Sequence, residues 1–257
     1  MNTDYSRLFR LDGRRAVVIG AGSGIGRASA LALAAHGAHV ICADSNIANA
    51  QQTVAMADGL TASALDVLDD TAVVAFAKVH ADTEIFVHTP AMNVRKSIRD
   101  YSLDEFDRVM RLNLRSTFHL IQSFGNSMVM RKHGSIIVFS SVRATTVEPG
   151  QSVYAATKSG LESIVRTAAA EFGGANVRIN AIRPGVVETQ LTQQLKNNPE
   201  WYDAYARKSA LGRWATADEL AGAVVYLASD AASFVTGTTI TVDGGWTAID
   251  GRYTPPL

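Results

Sequence analysis

The 257 residues hold 24 Lys and Arg against 24 Asp and Glu, so the net charge is zero and no basic footprint for nucleic acid or an anionic membrane is present. One cysteine, Cys42, excludes an internal disulfide, and the six histidines (36, 39, 80, 88, 119, 133) lack zinc-ligand spacing, so no metal site is expected. Residues 1–10 are polar and mixed in charge, unlike a signal peptide, and the apolar runs are too short to cross a bilayer. A soluble, cytoplasmic protein is expected, with a core large enough to need no staples.

In chain order, 15–19 is an apolar run stopped by glycines and reads as a buried parallel strand. An alanine- and leucine-rich helix over 24–36 closes at Gly37. Strands at 39–43, 61–65 and 85–88 alternate with helices at 47–57 and 70–79. The second half keeps this rhythm. A long helix covers 104–131, a strand 135–139, a helix 151–172, a strand 177–182, a helix 218–228 and a strand 238–242. No linker or repeat divides the chain. The alternation predicts one α/β domain over 1–257, a doubly wound Rossmann parallel sheet flanked by helices, with ligands at the carboxyl edge of the strands.

Three stretches meet at that edge. The turn Gly20-Ala21-Gly22-Ser23-Gly24-Ile25-Gly26 joins the first strand to the first helix, where glycines let a pyrophosphate approach free N–H groups and the helix dipole. Asp44 ends the second strand. Its carboxylate can accept bonds from adenosine ribose hydroxyls and would repel a 2′-phosphate, and neither Ser23 nor Ser45 is basic. This favours NAD over NADP; the alternative for Asp44 is a helix cap. Finally, the strand at 135–139 delivers Ser141, and Tyr154 and Lys158 follow at helical spacing, about 6 Å apart along one face. A lysine cation beside a tyrosine should make the phenol a stronger acid, and a serine hydroxyl could hold a substrate oxygen against it, giving an acid–base device for a C–O–H group.

These residues resemble the short-chain dehydrogenase/reductase family over nearly the whole chain. The spacing Gly20-x3-Gly24-x-Gly26 resembles that family's loop, Asp66-Val67 its adenine-contacting pair, and Asn113 the asparagine of its fourth long helix. Ser141, Tyr154 and Lys158 resemble its catalytic set, Pro184 to Thr189 its nicotinamide-binding segment, and 242–245 its terminal strand. The resemblance implies that Tyr154 is the base in alcohol oxidation or the acid in ketone reduction. Lys158 would lower the tyrosine's pKa and hold the nicotinamide ribose, Ser141 would orient the substrate oxygen, and Asn113 would hold a water behind Lys158. Ser23, Ile25, Thr89, Val187 and Thr189 complete the expected cofactor contacts. Two departures stand out. Ile19-Gly20 replaces the family's Thr-Gly, and His88-Thr89-Pro90-Ala91 replaces its Asn-Asn-Ala-Gly. Pro90 has no N–H and Ala91 resists positive φ. In the family the loop threonine braces that second segment, so the departures are expected to be linked, with apolar packing of Ile19 replacing a hydrogen bond.

The expected substrate lining is polar and partly basic: Asn93, Arg95, Lys96, Arg143, Glu148 and Gln151. Arg143 could fork onto a carboxylate, a sulfonate or vicinal hydroxyls; it could equally form a structural pair with Glu148 or a neighbouring subunit. Arg95 and Lys96 could instead be solvated or interfacial. Residues 188–213 should form a mobile lid, with Trp201, Tyr202, Tyr205 and Trp214 walling the pocket or packing the lid. This lining suits a sugar, polyol or sugar acid, and the chain also looks similar to bacterial sugar, polyol and gluconate-type dehydrogenases. The rivals are an NADPH-dependent 3-oxoacyl thioester reductase and a non-catalytic NAD-binding regulator. Pairing of the two long helices between subunits, as the resemblance implies, predicts a homotetramer, and the tail after Gly245 either crosses to a neighbouring lid or frays.

Overall fold

The structure is a computed structural model that describes residues 4–249. Its elements in chain order are β1 (Arg15–Ile19), α1 (Gly24–Ala35), β2 (His39–Asp44), α2 (Ile47–Val54), β3 (Leu60–Ala64), α3 (Asp70–Val79), β4 (Ile85–His88), α4 (Leu103–Met110), α5 (Ser116–Arg131), β5 (Gly134–Phe139), α6 (Ser152–Phe172), β6 (Val177–Pro184), α7 (Gln193–Lys196), α8 (Pro199–Lys208), α9 (Asp218–Ala228) and β7 (Thr239–Val242). All seven strands run parallel in the order β3-β2-β1-β4-β5-β6-β7. Strand order reverses between β1 and β4, which opens a crevice at their carboxyl ends.

The central strands are apolar on both faces because helices cover both. On one face Val17, Phe86 and Ile136 pack with Phe76 of α3, Phe124 of α5 and Leu161 of α6, and Phe86 stacks on Phe124 at 4.3 Å. On the other, Val18, Val40 and Ile137 pack with Leu33 of α1 and Val224 of α9. A third, smaller cluster joins Val142, Leu195, Tyr205, Trp214 and Trp246 beneath the lid.

Most expected elements match within two or three residues. The long helix at 104–131 does not run through: Arg111–Arg115 forms a π turn between α4 and α5. Such a turn adds one residue to the helical repeat, so the apolar spacing on either side still reads as helix. Residues 188–213 hold α7 and α8, and the tail beyond Ile249 lies outside the described residues.

Candidate active site

The turn after β1 is tight because three glycines leave no room for a side chain. Gly20 has φ +80°, and a Cβ there would lie 2.5 Å from Thr89 Oγ1; one on Gly26 would lie 2.0 Å from the Gly20 carbonyl oxygen. Thr89 reinforces the turn. Its N–H and its hydroxyl both donate to the Ile19 carbonyl, at 3.2 and 2.9 Å. The expectation for Ile19 is therefore corrected. Its side chain is buried in the core, yet the polar tie between the two segments persists, with Thr89 supplying the hydroxyl from the opposite strand. Ala91 avoids positive φ altogether, so the unusual segment after β4 is accommodated without strain.

Asp44 is no helix cap. Asn46 caps α2, while Asp44 accepts the Gly22 N–H at 2.9 Å and the Asn46 N–H at 2.9 Å, which fixes its carboxylate beside the loop. A groove of about 560 Å³ runs along this edge. Gly20, Ser23, Gly24, Ile25, Gly26, Asp44, Asp66, Val67, Thr89 and Thr189 line it, and no lysine or arginine does. Pro184 and Val187 are buried, and neither lines the groove. Ser23 caps α1 without a side-chain hydrogen bond, so the first-turn N–H groups stay available to a pyrophosphate. The glycine cradle and the fixed acidic residue fit a dinucleotide.

Beyond the groove lies a smaller cavity of about 80 Å³ containing Ser141 and Tyr154. Ser141 follows β5 and accepts the Arg143 N–H at 3.2 Å. Tyr154 sits in the first turn of α6. Lys158, one turn on, places Nζ 5.7 Å from the Tyr154 ring and donates to the Phe139 carbonyl at 2.7 Å. Burial pushes the Lys158 ammonium down to about 8. The tyrosine departs from expectation. Burial raises its pKa, and hydrogen bonding with Ser141 and the charges of Arg95 and Arg143 offset this only in part. Arg95 and Arg143 thus add to the positive surroundings of the phenol, while Lys158 lies over its ring with Nζ bonded to the Phe139 carbonyl.

Asn113 sits in the π turn. Its Oδ1 accepts the Met92 N–H and its Nδ2 donates to the Met92 carbonyl, each at 2.8 Å, with Thr157 Oγ1 at 3.3 Å. These side-chain bonds fasten the segment after β4 to the long helix. His88, at the end of β4, is buried with Nε2 unpartnered, and burial together with the Lys158 charge drives its pKa to about 3, so it is neutral.

Asn93, Arg95, Arg143 and Gln151 all line the cavity with Ser141 and Tyr154; Trp201 does not, and lies under the Arg95 guanidinium at 5.5 Å. Arg143 pairs with Glu148, the structural alternative weighed for it. The lid aromatics pack mainly with one another: Tyr202 stacks on Trp214 at 5.0 Å, and Tyr205 alone among them faces the cavity. Sequence reasoning missed a buried network behind the site. Glu162 takes two bonds from Arg183, at 3.0 and 2.7 Å, and one from Ser140 at 2.6 Å. The one available signal was Glu162 itself, an acid one turn beyond Lys158 on an otherwise buried face.

Among known proteins, the galactitol 2-dehydrogenase (L-tagatose-forming) of Cereibacter sphaeroides is 36% identical over 95% of this chain and 99% of its own. The gluconate 5-dehydrogenase of Gluconobacter oxydans (strain 621H) is 34% identical over 93% and 97%. A family model described as enoyl-(acyl carrier protein) reductase matches residues 20–247. This chain belongs to the short-chain dehydrogenase/reductase family. As a short-chain dehydrogenase/reductase it is an oxidoreductase that uses a nicotinamide cofactor. The fold agrees: a gluconate 5-dehydrogenase from Burkholderia cenocepacia J2315, solved in complex with NADP and tartrate, superposes with TM-score 0.90 at 31% identity, over 95% of this chain and 98% of that one. No helix among the described residues is long and apolar enough to cross a membrane, and none of their His, Cys, Asp and Glu side chains cluster as metal ligands.

Proposed function

We propose that this enzyme moves hydride between NAD and a secondary alcohol or ketone of a polyhydroxy substrate: a sugar, polyol or sugar acid. The observation that carries it is the junction of two spaces, a dinucleotide groove without a basic residue and a polar cavity around Ser141 and Tyr154. In this reading Asp44, fixed by two backbone N–H groups, accepts the ribose hydroxyls and repels a 2′-phosphate. Bound nicotinamide supplies the hydride acceptor. Ser141 holds the substrate oxygen, and Tyr154 takes the hydroxyl proton during oxidation or returns it during reduction. Lys158, freed from the Phe139 carbonyl, stabilises the phenolate and holds the cofactor ribose. Asn113 positions the wall of the cavity through Met92. A cavity of about 80 Å³ falls well below the ~300 Å³ at which ligand sites usually begin, so substrate entry requires the wall formed by Leu191, Thr192, Leu195 and Tyr205 to move outward.

The names of the galactitol and gluconate dehydrogenases above support the substrate class, whereas the NADP in the Burkholderia neighbour is a property of that protein. Thioester reduction with NADPH is the second reading, favoured by the family model's description. It calls for a basic residue at the adenosine end, and the groove has none. The four residues of the proposed catalytic set are all present, against a non-catalytic regulator. We further propose a homotetramer in the cytoplasm.

Initial rates with NAD⁺ and NADP⁺ on polyols, aldoses and sugar acids test the cofactor and the chemistry together. NAD⁺ is expected to lead by at least about 10²-fold in kcat/KM, and Tyr154→Phe to lose ~10² or more in kcat, the usual scale of acid–base assistance. Preference for NADP⁺, or full rate in Tyr154→Phe, overturns this function.

A further inference from the structure

The charged groups around the substrate cavity are unequally satisfied. Arg143 pairs with Glu148, donates to Tyr205 Oη at 3.3 Å, and lies 5.7 and 5.5 Å from the Tyr205 and Trp246 rings. Glu148 also accepts from Tyr205 Oη at 2.5 and 2.6 Å and from the Gln151 amide. Arg143 and Glu148 are thus closed on each other. Arg95 is not. Its guanidinium stops 3.8 Å from Glu148, beyond hydrogen-bond distance, and its buried Nε has no hydrogen-bond partner among the described residues. Asn93 gives its Nδ2 to Gln151 at 2.9 Å but leaves Oδ1 buried and unpartnered.

Two guanidiniums and one carboxylate leave a single positive charge, and no carboxylate lines the cavity itself to cancel it. A buried donor and a buried acceptor, both unmet and both on the wall that faces Ser141 and Tyr154, are costly unless a ligand completes them. We propose that Glu148 neutralises Arg143 so that Arg95 alone is left to bind one substrate carboxylate, making the enzyme selective for singly charged sugar acids over neutral polyols. Asn93 Oδ1 accepts a hydroxyl from the carbon chain between that carboxylate and the carbinol at Tyr154. Trp201, whose ring centre lies 5.5 Å from the guanidinium carbon, supports Arg95 by a cation–π contact. This inference rests on the hydride-transfer reading above and narrows its substrate.

The test pairs D-gluconate with D-glucitol, equal in carbon number and differing in one charge, and adds the dianion D-glucarate. Steady-state NAD⁺ reduction is measured beside the melting-temperature shift each compound causes. Gluconate is expected to lead glucitol at least tenfold in kcat/KM. Arg95→Gln should raise the gluconate KM at least tenfold and bring the ratio of the two substrates near one, and Arg95→Lys should restore part of it. Glu148→Gln adds one uncompensated charge, so the glucarate-to-gluconate ratio of kcat/KM should rise at least fivefold even where the absolute rate falls. Glucitol preferred over gluconate, or ratios unmoved by these variants, overturns the inference and leaves the hydride-transfer reading intact. An Arg95-dependent melting shift by gluconate without turnover of any alcohol supports the inference and sinks that reading. Neither shift nor turnover with any of the three compounds overturns the inference, and the same silence across the wider panel of polyols, aldoses and sugar acids overturns the hydride-transfer reading too.

Discussion

At the level of single residues, Lys158 carries the most information, because an ammonium buried among apolar neighbours is rare unless paired. Its ordinary pKa of 10.5 falls to about 8 in the fold. Below pH 8 both folded and unfolded chains carry the proton, and the folded state bears the full cost of the buried charge. Between about 8 and 10.5 the folded lysine is neutral while the unfolded one is still charged, so the unfolded state binds more protons and stability rises with pH. The shift corresponds to roughly 3 kcal/mol. Lys158→Met removes this dependence. The stability of wild type minus that of Lys158→Met, from urea unfolding, is therefore expected to increase by that order between pH 7.5 and 10.5 and to be flat below pH 7.5; a flat difference throughout means the ammonium is better solvated than its surroundings imply. Subtracting the variant also cancels Cys42, whose thiol, pushed up to about 12 by burial, acts in the opposite direction above pH 9. Thr89 offers a sharper local test. Thr89→Val keeps the shape but loses the hydroxyl bond to the Ile19 carbonyl, and should cost about 1 kcal/mol with a severalfold weaker NADH affinity. No loss in either measurement would leave the packing of Ile19 as the real brace.

At the level of elements, the site depends on how β5, α6 and β6 are pinned together. Ser140 at the end of β5, Glu162 on α6 and Arg183 on β6 meet in one hydrogen-bonded cluster directly behind Ser141 and Lys158. Glu162→Ala leaves Arg183 without its partner in a mostly buried setting, and a loss of about 3 kcal/mol is expected, with Glu162→Gln intermediate. Such clusters explain what sequence can and cannot disclose. The strands were legible because glycine, proline and aspartate punctuate short apolar runs, and Ser141, Tyr154 and Lys158 because their spacing is local. The π turn at Arg111–Arg115 was not, since an extra residue leaves helical patterning nearly unchanged. The Arg143–Glu148 pair was foreseen as an alternative, but not the bond from Tyr205 to Glu148, which depends on where a lid 57 residues downstream comes to rest. The direction of the Tyr154 shift failed for a related reason: spacing placed a lysine beside the phenol but gave neither its rotamer nor the depth of burial.

For the whole molecule, the open question is what covers the outer faces of the long helices. α4 and α5 leave Leu103 at 81%, Phe106 at 40% and Phe118 at 50% exposure, more apolar surface than the sheet beneath requires. α6 presents Ala156, Ser159, Ser163, Arg166, Thr167 and Ala170 outward, mostly small side chains with one arginine among them, which let a second helix approach closely along most of its length. Large apolar groups on one helix and small ones on its neighbour suit a self-complementary interface, in which each copy's bulky face meets the other's shallow one. This supports the proposed tetramer on grounds separate from family resemblance. It also bears on activity, since α4 and α5 flank the π turn that holds Asn113, and α6 carries Tyr154 and Lys158. Sedimentation at micromolar concentration should give a particle four times the 27.4 kDa chain mass. Phe118→Glu, which buries a charge in that interface, should reduce the assembly order and lower kcat along with it, while leaving the far-UV spectrum of the folded chain unchanged. A wild-type monomer under these conditions, or a Phe118→Glu variant that stays fully assembled, would show that these faces meet solvent and that the site is complete within one chain.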